Sequence, residues 1–229
     1  LLIAAAGISV AVAAIPLLYL LVRTSSAGWN AVVEALLRDR TLETTITSVA
    51  LVTLVIVGCL LIAVPTAWLL ARTNIPGRAF FLVMAALPLA VPSYVMAYAW
   101  IAEFPSMSGI GAAALVMVLA TYPYVAIPLT AALRSIDAGH EEAAQSLGLG
   151  PLAVARRVTL PLAWPAAAAG VLLAALYTLS EFGTVAIFRV DAFTRVIYTA
   201  YRASFDRTTA AVLSLVLVCL ALLLVVIEA

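Results

Sequence analysis

All twelve cationic side chains of this 229-residue chain are arginines, and it contains no lysine. A phosphate-binding P-loop needs a lysine to reach the β- and γ-phosphates, and Schiff-base catalysis needs a lysine amine. This chain can perform neither. His140 is the single histidine, so one copy cannot form a two-histidine metal site. Cys59 and Cys219 stand in apolar runs without a CxxC partner, and both read as buried small hydrophobic residues. No catalytic residue, metal site or cofactor is expected. One carboxylate has an unusual setting: Glu181 is the only charged residue inside a long apolar segment. An ionisable group there is costly and marks a function by default.

The elements that must position these groups follow from composition. The chain is 66% apolar and 10% charged, against about 45–50% and 25% for an average soluble domain. A soluble fold could not hide that much apolar surface, and a disordered chain needs the opposite balance. A net charge of +1 gives no electrostatic footprint for nucleic acid. A spanning helix needs about 20 mostly apolar residues. Six segments qualify, at 1–22, 46–71, 79–102, 109–133, 160–188 and 208–227. The expected fold is an all-α integral membrane domain over 1–229. Within it, 1–45 is a first helix and a surface segment, and 46–229 is the core. No charged stretch precedes 1–22, so that segment is not read as a signal peptide. The chain opens inside an apolar run without Met and stops after another. It is expected to be a fragment or one half of a longer polypeptide.

The connections differ in character. Residues 31–37 form a short amphipathic stretch expected on the membrane surface. Residues 71–78 and 103–108 are tight turns, 134–159 is long and helix-prone, and 189–207 mixes arginines, aspartates and aromatics. Six spans place Arg72, Arg78, Arg134, Arg156 and Arg157 on one face. Arg23, Arg38, Arg40, Arg189, Arg195, Arg202 and Arg207 fall on the other, five against seven. The positive-inside rule therefore does not fix the orientation.

The fourth connection reads EEAAQSLGLGPLAVARRVTLPLAWP over 141–165. Its physics is a helix, a break and a second helix. Residues 141–147 favour helix, Gly148 can adopt the positive φ of a C-terminal cap, and Pro151 suits the first residue of the next helix. Leu147 and Leu149 then stand near the tip of a helical elbow, which suits insertion into a partner's groove. Pro161 marks the start of the fifth span.

Glu142, Ala143 and Ala144, then Gly148, then Val158-x-Leu160-Pro161 resemble the EAA loop of ABC importer permeases, with valine in place of the usual isoleucine. The resemblance implies the type I importer permease fold, with this loop cytoplasmic between the fourth and fifth helices. It implies that Glu142, Ala143, Ala144, Leu147, Gly148, Leu149, Pro151, Leu160 and Pro161 couple the chain to a separate ATP-binding cassette subunit. That agrees with the missing lysine. It implies further partners: a periplasmic substrate-binding protein, a second six-helix half or copy, and the lipid of a bacterial inner membrane. The stretch LPLAVPSYVMAYAW at 87–100 and EFGTV at 181–185 are similar to ferric-iron permeases, in the first of two fused halves. Those usually carry Asp where this chain has Glu181. Permeases for thiamine, phosphonates and polyamines look alike here.

For the translocation path, Glu181, Gly183, Thr184, Pro92, Tyr94 and Tyr98 are the candidates. Glu181 lies about 20 residues, hence ~30 Å, into the fifth span. It either lines the path, where it would attract a hard cation such as ferric iron, or sits at the interface pairing with Arg189. Pro88 and Pro92 in the third span, and Pro123 and Pro128 in the fourth, each remove a backbone donor and are expected to disturb their helices. Gly109 and Gly111 are expected to serve helix contact. An intramembrane enzyme finds no support, because the only histidine lies in a polar loop. An ATP-independent transporter would show several intramembrane charges, and only Glu181 is present.

Overall fold

The computed structural model describes residues 2–26, 28–202 and 206–228. Among them every regular element is a helix. In chain order these are α1 (Leu2–Ser26), α2 (Trp29–Leu37), α3 (Asp39–Arg72), α4 (Arg78–Ala86), α5 (Ser93–Glu103) and α6 (Gly109–Ser135). They continue with α7 (Ala138–Ser146), α8 (Pro151–Val154), α9 (Leu160–Ser180), α10 (Gly183–Ile187), α11 (Phe193–Arg202) and α12 (Arg207–Glu228). This is the expected outcome for a chain whose backbone groups must be satisfied without water. Among the described residues five helices are long and apolar enough to cross a membrane, and a sixth crossing requires a bent pair.

That pair corrects the reading of 79–102 as one span. Helix α4 continues as a tight turn, Leu87–Ala90, and then turns by 90° into α5. Val91 is extended, and Pro92 caps α5 from outside. The residue before a proline is pushed out of the helical region, so Val91–Pro92 is where the chain must leave the helix.

The fifth span is corrected at both ends. Its start is not Pro161, because the helix runs on from Pro151 through a five-residue π turn, Ala155–Thr159. The Leu160 N–H donates to the Ala155 carbonyl. This widened turn lies directly beneath Pro161, whose ring would otherwise clash with the carbonyl four residues back. The span ends at Ser180 rather than 188, and α10 is a separate short helix. Helix α6, by contrast, is unbroken through Pro123 and Pro128. Thr121 and Thr130 donate back to the carbonyls of Met117 and Ala126, while the acceptors that Pro123 and Pro128 leave without a donor are those of Leu119 and Tyr124.

The chain divides into two compact units. One comprises Leu1–Val49 and Asp191–Leu223. Here Phe193, Val196 and Leu213 form a small buried core, and the Phe193 N–H donates to Ser48 Oγ at 3.1 Å. The expected connection 189–207 contains α11, a strongly amphipathic helix, while residues 203–205 of it lie outside the described residues. Asp206 caps α12, accepting the Thr209 hydroxyl at 2.6 Å and its N–H at 2.9 Å. Arg38 approaches Asp206 at 3.6 Å and pairs with Glu34 at 3.2 Å. The Thr209 hydroxyl, then its N–H, and then the Arg38 charge hold the Asp206 carboxyl below the usual carboxylate range.

The other unit comprises Ala50–Val190 and Leu224–Ala229. Its centre is α6, which buries Ala113, Val116, Met117, Thr121, Val125 and Leu133. Gly170 of α9 lies so close to α6 that a Cβ there would stand 2.4 Å from the Tyr124 carbonyl oxygen. That oxygen is the acceptor Pro128 leaves without its intrahelical donor. Gly58 of α3 packs as tightly, with the Val118 side chain 2.4 Å from a built Cβ. Small residues let membrane helices approach without a hydrophobic driving force. Gly109 and Gly111 do not play this part, since nothing lies within 4 Å of a Cβ at either. Gly109 instead has a φ of 81° and donates its N–H to the Phe188 carbonyl at 2.8 Å. Cys59 is buried as expected, within 3.3 Å of the Thr121 hydroxyl, whereas Cys219 lies on an exposed face of α12.

Candidate functional site

The loop between α6 and α9 is built by local backbone chemistry. The Asp137 carboxylate caps α7, accepting the Gly139 N–H at 3.0 Å. At the other end the Gly148 N–H donates to the Gln145 carbonyl at 2.8 Å and the Leu149 N–H to the Ala144 carbonyl at 3.2 Å. This reciprocal pair is the Schellman motif, and it requires a left-handed residue after the cap. Gly148 supplies it with a φ of 88°. Gly150 then caps α8, whose first residue is Pro151. The elbow expected from the sequence is therefore present.

Its side chains sort by exposure. Ala144 and Val154 are buried, and Leu149 and Leu160 are partly so. Glu142, Ala143, Pro151 and Pro161 are exposed. Leu147 is 85% exposed and Leu152 73%, so the elbow presents two largely exposed leucines.

Beneath the elbow lies a contact the sequence did not reveal. Glu141 Oε1 stands 2.7 Å from a guanidinium nitrogen of Arg72, at the end of α3, and accepts the Thr159 hydroxyl at 2.8 Å. Glu141 looked like its neighbour Glu142, a charge on a polar loop. Only the fold turns one carboxylate inward and the other outward.

The second candidate region lies where α9 ends. Glu181 is not inside a helix but terminates α9 with an extended backbone, and its Oε1 accepts the Thr184 N–H at 2.9 Å. Gly183 brings this turn against α5, with the Tyr94 Cβ 2.6 Å and Glu181 Oε1 3.3 Å from a built Cβ. Thr184 is fully buried, and its hydroxyl has no hydrogen-bond partner among the described residues. Tyr177 donates to Ser93 Oγ at 2.9 Å, and its ring centroid lies 6.1 Å from that of Tyr124. The fold thus gathers Glu181, Gly183, Thr184 and Tyr94, and adds Ser93, Tyr124 and Tyr177. Pro92 opens α5 at this point, and Tyr98 lies one turn along it, 61% exposed. Ser93 carried no sequence signal, because a lone serine after a proline is an ordinary helix start. Among the described residues no group of His, Cys, Asp and Glu is arranged to hold a metal ion.

Comparison with known proteins adds an independent line. The family model described as "Binding-protein-dependent transport system inner membrane component" matches residues 63–228. Over 211 residues the chain is 34% identical to the Fe(3+)-transport system permease protein FbpB 2 of Haemophilus influenzae, covering 92% of this chain and 42% of that protein. The chain thus spans less than half of that relative's length. It is 31% identical over 143 residues to the molybdenum transport system permease protein ModB of the same species, covering 56% and 62% respectively. Among solved structures it superposes on a chain of a bacterial ABC transporter involved in the import of the acidic polysaccharide alginate. The TM-score is 0.73 at 16% identity, covering 99% of this chain and 93% of that one. That degree of likeness establishes the fold, the type I arrangement of ABC importer permeases.

Proposed function

The chain belongs to the binding-protein-dependent transport system inner membrane component family. On that footing we propose that it is the membrane-spanning subunit, or half-subunit, of an ATP-driven importer in a bacterial inner membrane. It carries out no bond chemistry. A separate ATP-binding cassette subunit receives the elbow at 141–161, a periplasmic protein delivers the solute, and a second six-helix half or copy completes the path. Residues 1–229 act in this reading as one permease domain.

The observation that carries the proposal is the elbow itself. Its Schellman cap and proline start fix two short helices at a set angle, and its tip leaves Leu147 and Leu152 exposed. An isolated apolar tip on rigid helices fits a groove in a partner. ATP-driven closure of the partner would then pull on the elbow and change which side of the membrane the bundle faces.

For the solute, ferric iron is the best reading. The supporting observations are the resemblance to an iron permease along nearly the whole chain and the Glu181 carboxylate at the end of the fifth span. A carboxylate attracts a hard cation, which prefers oxygen ligands, and repels an oxyanion. A molybdenum-type solute is the runner-up. The test is ATP hydrolysis by the complete permease reconstituted with its ATPase. Stimulation by a binding protein loaded with ferric iron, and not by one loaded with molybdate, is expected. The reverse selectivity would keep the importer and overturn the iron assignment.

A further inference from the structure

The end of α3 is an unusual electrostatic position. A helix C-terminus presents unpaired carbonyls and a partial negative charge. Here Arg78 donates to the Ala71 carbonyl at 3.2 Å and Arg134 to the Leu70 carbonyl at 3.4 Å. Arg72, the last residue of α3, makes the third arginine of this knot. Its guanidinium does not fold back onto the helix but reaches Glu141 of α7, at 2.7 Å from Oε1 and 3.5 Å from Oε2. Both side chains are under a quarter exposed, at 22% and 23%. This shields the pair from solvent more than an ordinary surface ion pair.

Helix α7 has little else to hold it to the bundle. It buries only Ala144, and Leu147, at its C-terminal cap, is 85% exposed. Among the described residues, Arg72–Glu141 is the one ion pair joining α7 to a long helix. The same carboxylate accepts Thr159, the last residue of the π turn that leads into the fifth span. One carboxylate therefore ties α7 to the end of the second span and to the π turn in the helix of the fifth.

We propose that Glu141 and Arg72 are positioning residues of the importer: their ion pair, with Thr159 as third member, clamps the elbow to the second and fifth spans so that motion of the elbow moves both. This rests on the reading of the elbow as the ATPase contact. The clamp touches neither solute nor nucleotide. It sets how much of the elbow's displacement reaches the bundle.

The experiment is the ratio of solute imported to ATP hydrolysed, measured with the complete permease and its ATPase in proteoliposomes. Arg72→Met and Glu141→Gln should each lower that ratio by about fivefold, a typical coupling between sites. Arg72→Lys, which keeps the charge, should stay within about twofold. The double variant Arg72→Met/Glu141→Gln should be no worse than the poorer single one, because groups acting as one unit are non-additive. Parent-like ratios in both single variants, or losses that multiply in the double, would overturn the clamp. A parent complex that imports without ATP would overturn the importer reading and the clamp with it. A second readout covers variants that fail to assemble with the ATPase. Spin labels at Asn74→Cys and Gln145→Cys, both exposed positions, report the α3–α7 distance in the complete permease carrying Cys219→Ser. The mild Thr159→Val should broaden that distance distribution. An unchanged distribution would overturn the clamp.

Discussion

At the scale of single residues, backbone conformation was more legible than side-chain partnership. Gly148 could be assigned a positive φ because a helix-forming run met a glycine and then a proline three residues later. The structure gives it 88°. Nothing lies within 4 Å of a Cβ built there, so a substitution meets strain rather than a clash. A β-branched residue in that conformation costs about 1–2 kcal/mol, which the elbow can relieve by changing its angle. Gly148→Val should therefore reduce uptake by about tenfold or more, as expected for a misplaced coupling element. The purified permease should keep its parent melting temperature within a few degrees, about the shift that 1 kcal/mol produces in a chain of this size. Normal uptake would contradict the role given to the elbow. Asp206 illustrates the opposite case, a partnership no sequence pattern announced. Its carboxyl is held below the usual range, chiefly by the Thr209 hydroxyl. A carboxylate whose pKa is lowered on folding stabilises the fold above its unfolded pKa of about 3.9 and loses that contribution as pH falls through the folded value. Asp206→Asn keeps a capping side chain but removes the charge. Melting curves should place the parent above this variant at neutral pH, with the gap closing below about pH 4. A gap that persists in acid would assign the effect to something other than the charge.

At the scale of elements, hydropathy located the spans but not their breaks. The segment 79–102 is uniformly apolar, so a window average sees one helix. The right-angle turn is set by the extended Val91 before Pro92. The two prolines of α6 carried the same sequence signal and produced no break. The difference lies in the neighbours. α6 is the buried centre of its unit, whereas α5 exposes Tyr94, Val95 and Tyr98. Packing of this kind is a property of the fold, which one sequence does not state. The glycines show the same limit. Gly109 and Gly111 resembled contact residues at least as much as Gly170, yet only Gly170 faces a backbone at 2.4 Å. Gly170→Val must push α9 away from α6. It should destabilise the bundle by about 2 kcal/mol, typical of overpacking, measured as a lowered melting temperature in detergent. Gly111→Ala should change little, because nothing lies within 4 Å of a Cβ there.

At the scale of the whole molecule, the family was legible because its signature is a spacing rather than a composition. Glu142 lies in the capped helix, Gly148 is the left-handed turn, and Pro161 follows the π turn of the helix that Pro151 starts, so the three stand at fixed intervals. The solute was less legible, since a path through a helical bundle needs only a few polar groups at its breaks. Tyr177, Glu181 and Thr184 stand within one eight-residue stretch, but Ser93, 84 residues before Tyr177, is brought to them only by the fold. The central claim is that this chain moves solute with energy supplied by a separate ATPase. The direct test is uptake of labelled solute into proteoliposomes holding the complete permease, its ATPase and the loaded binding protein. It is to be compared with the same assembly carrying a hydrolysis-dead ATPase. The account predicts uptake with the active ATPase and none above background with the dead one. Equal uptake in both would contradict it and make the chain part of an ATP-independent transporter.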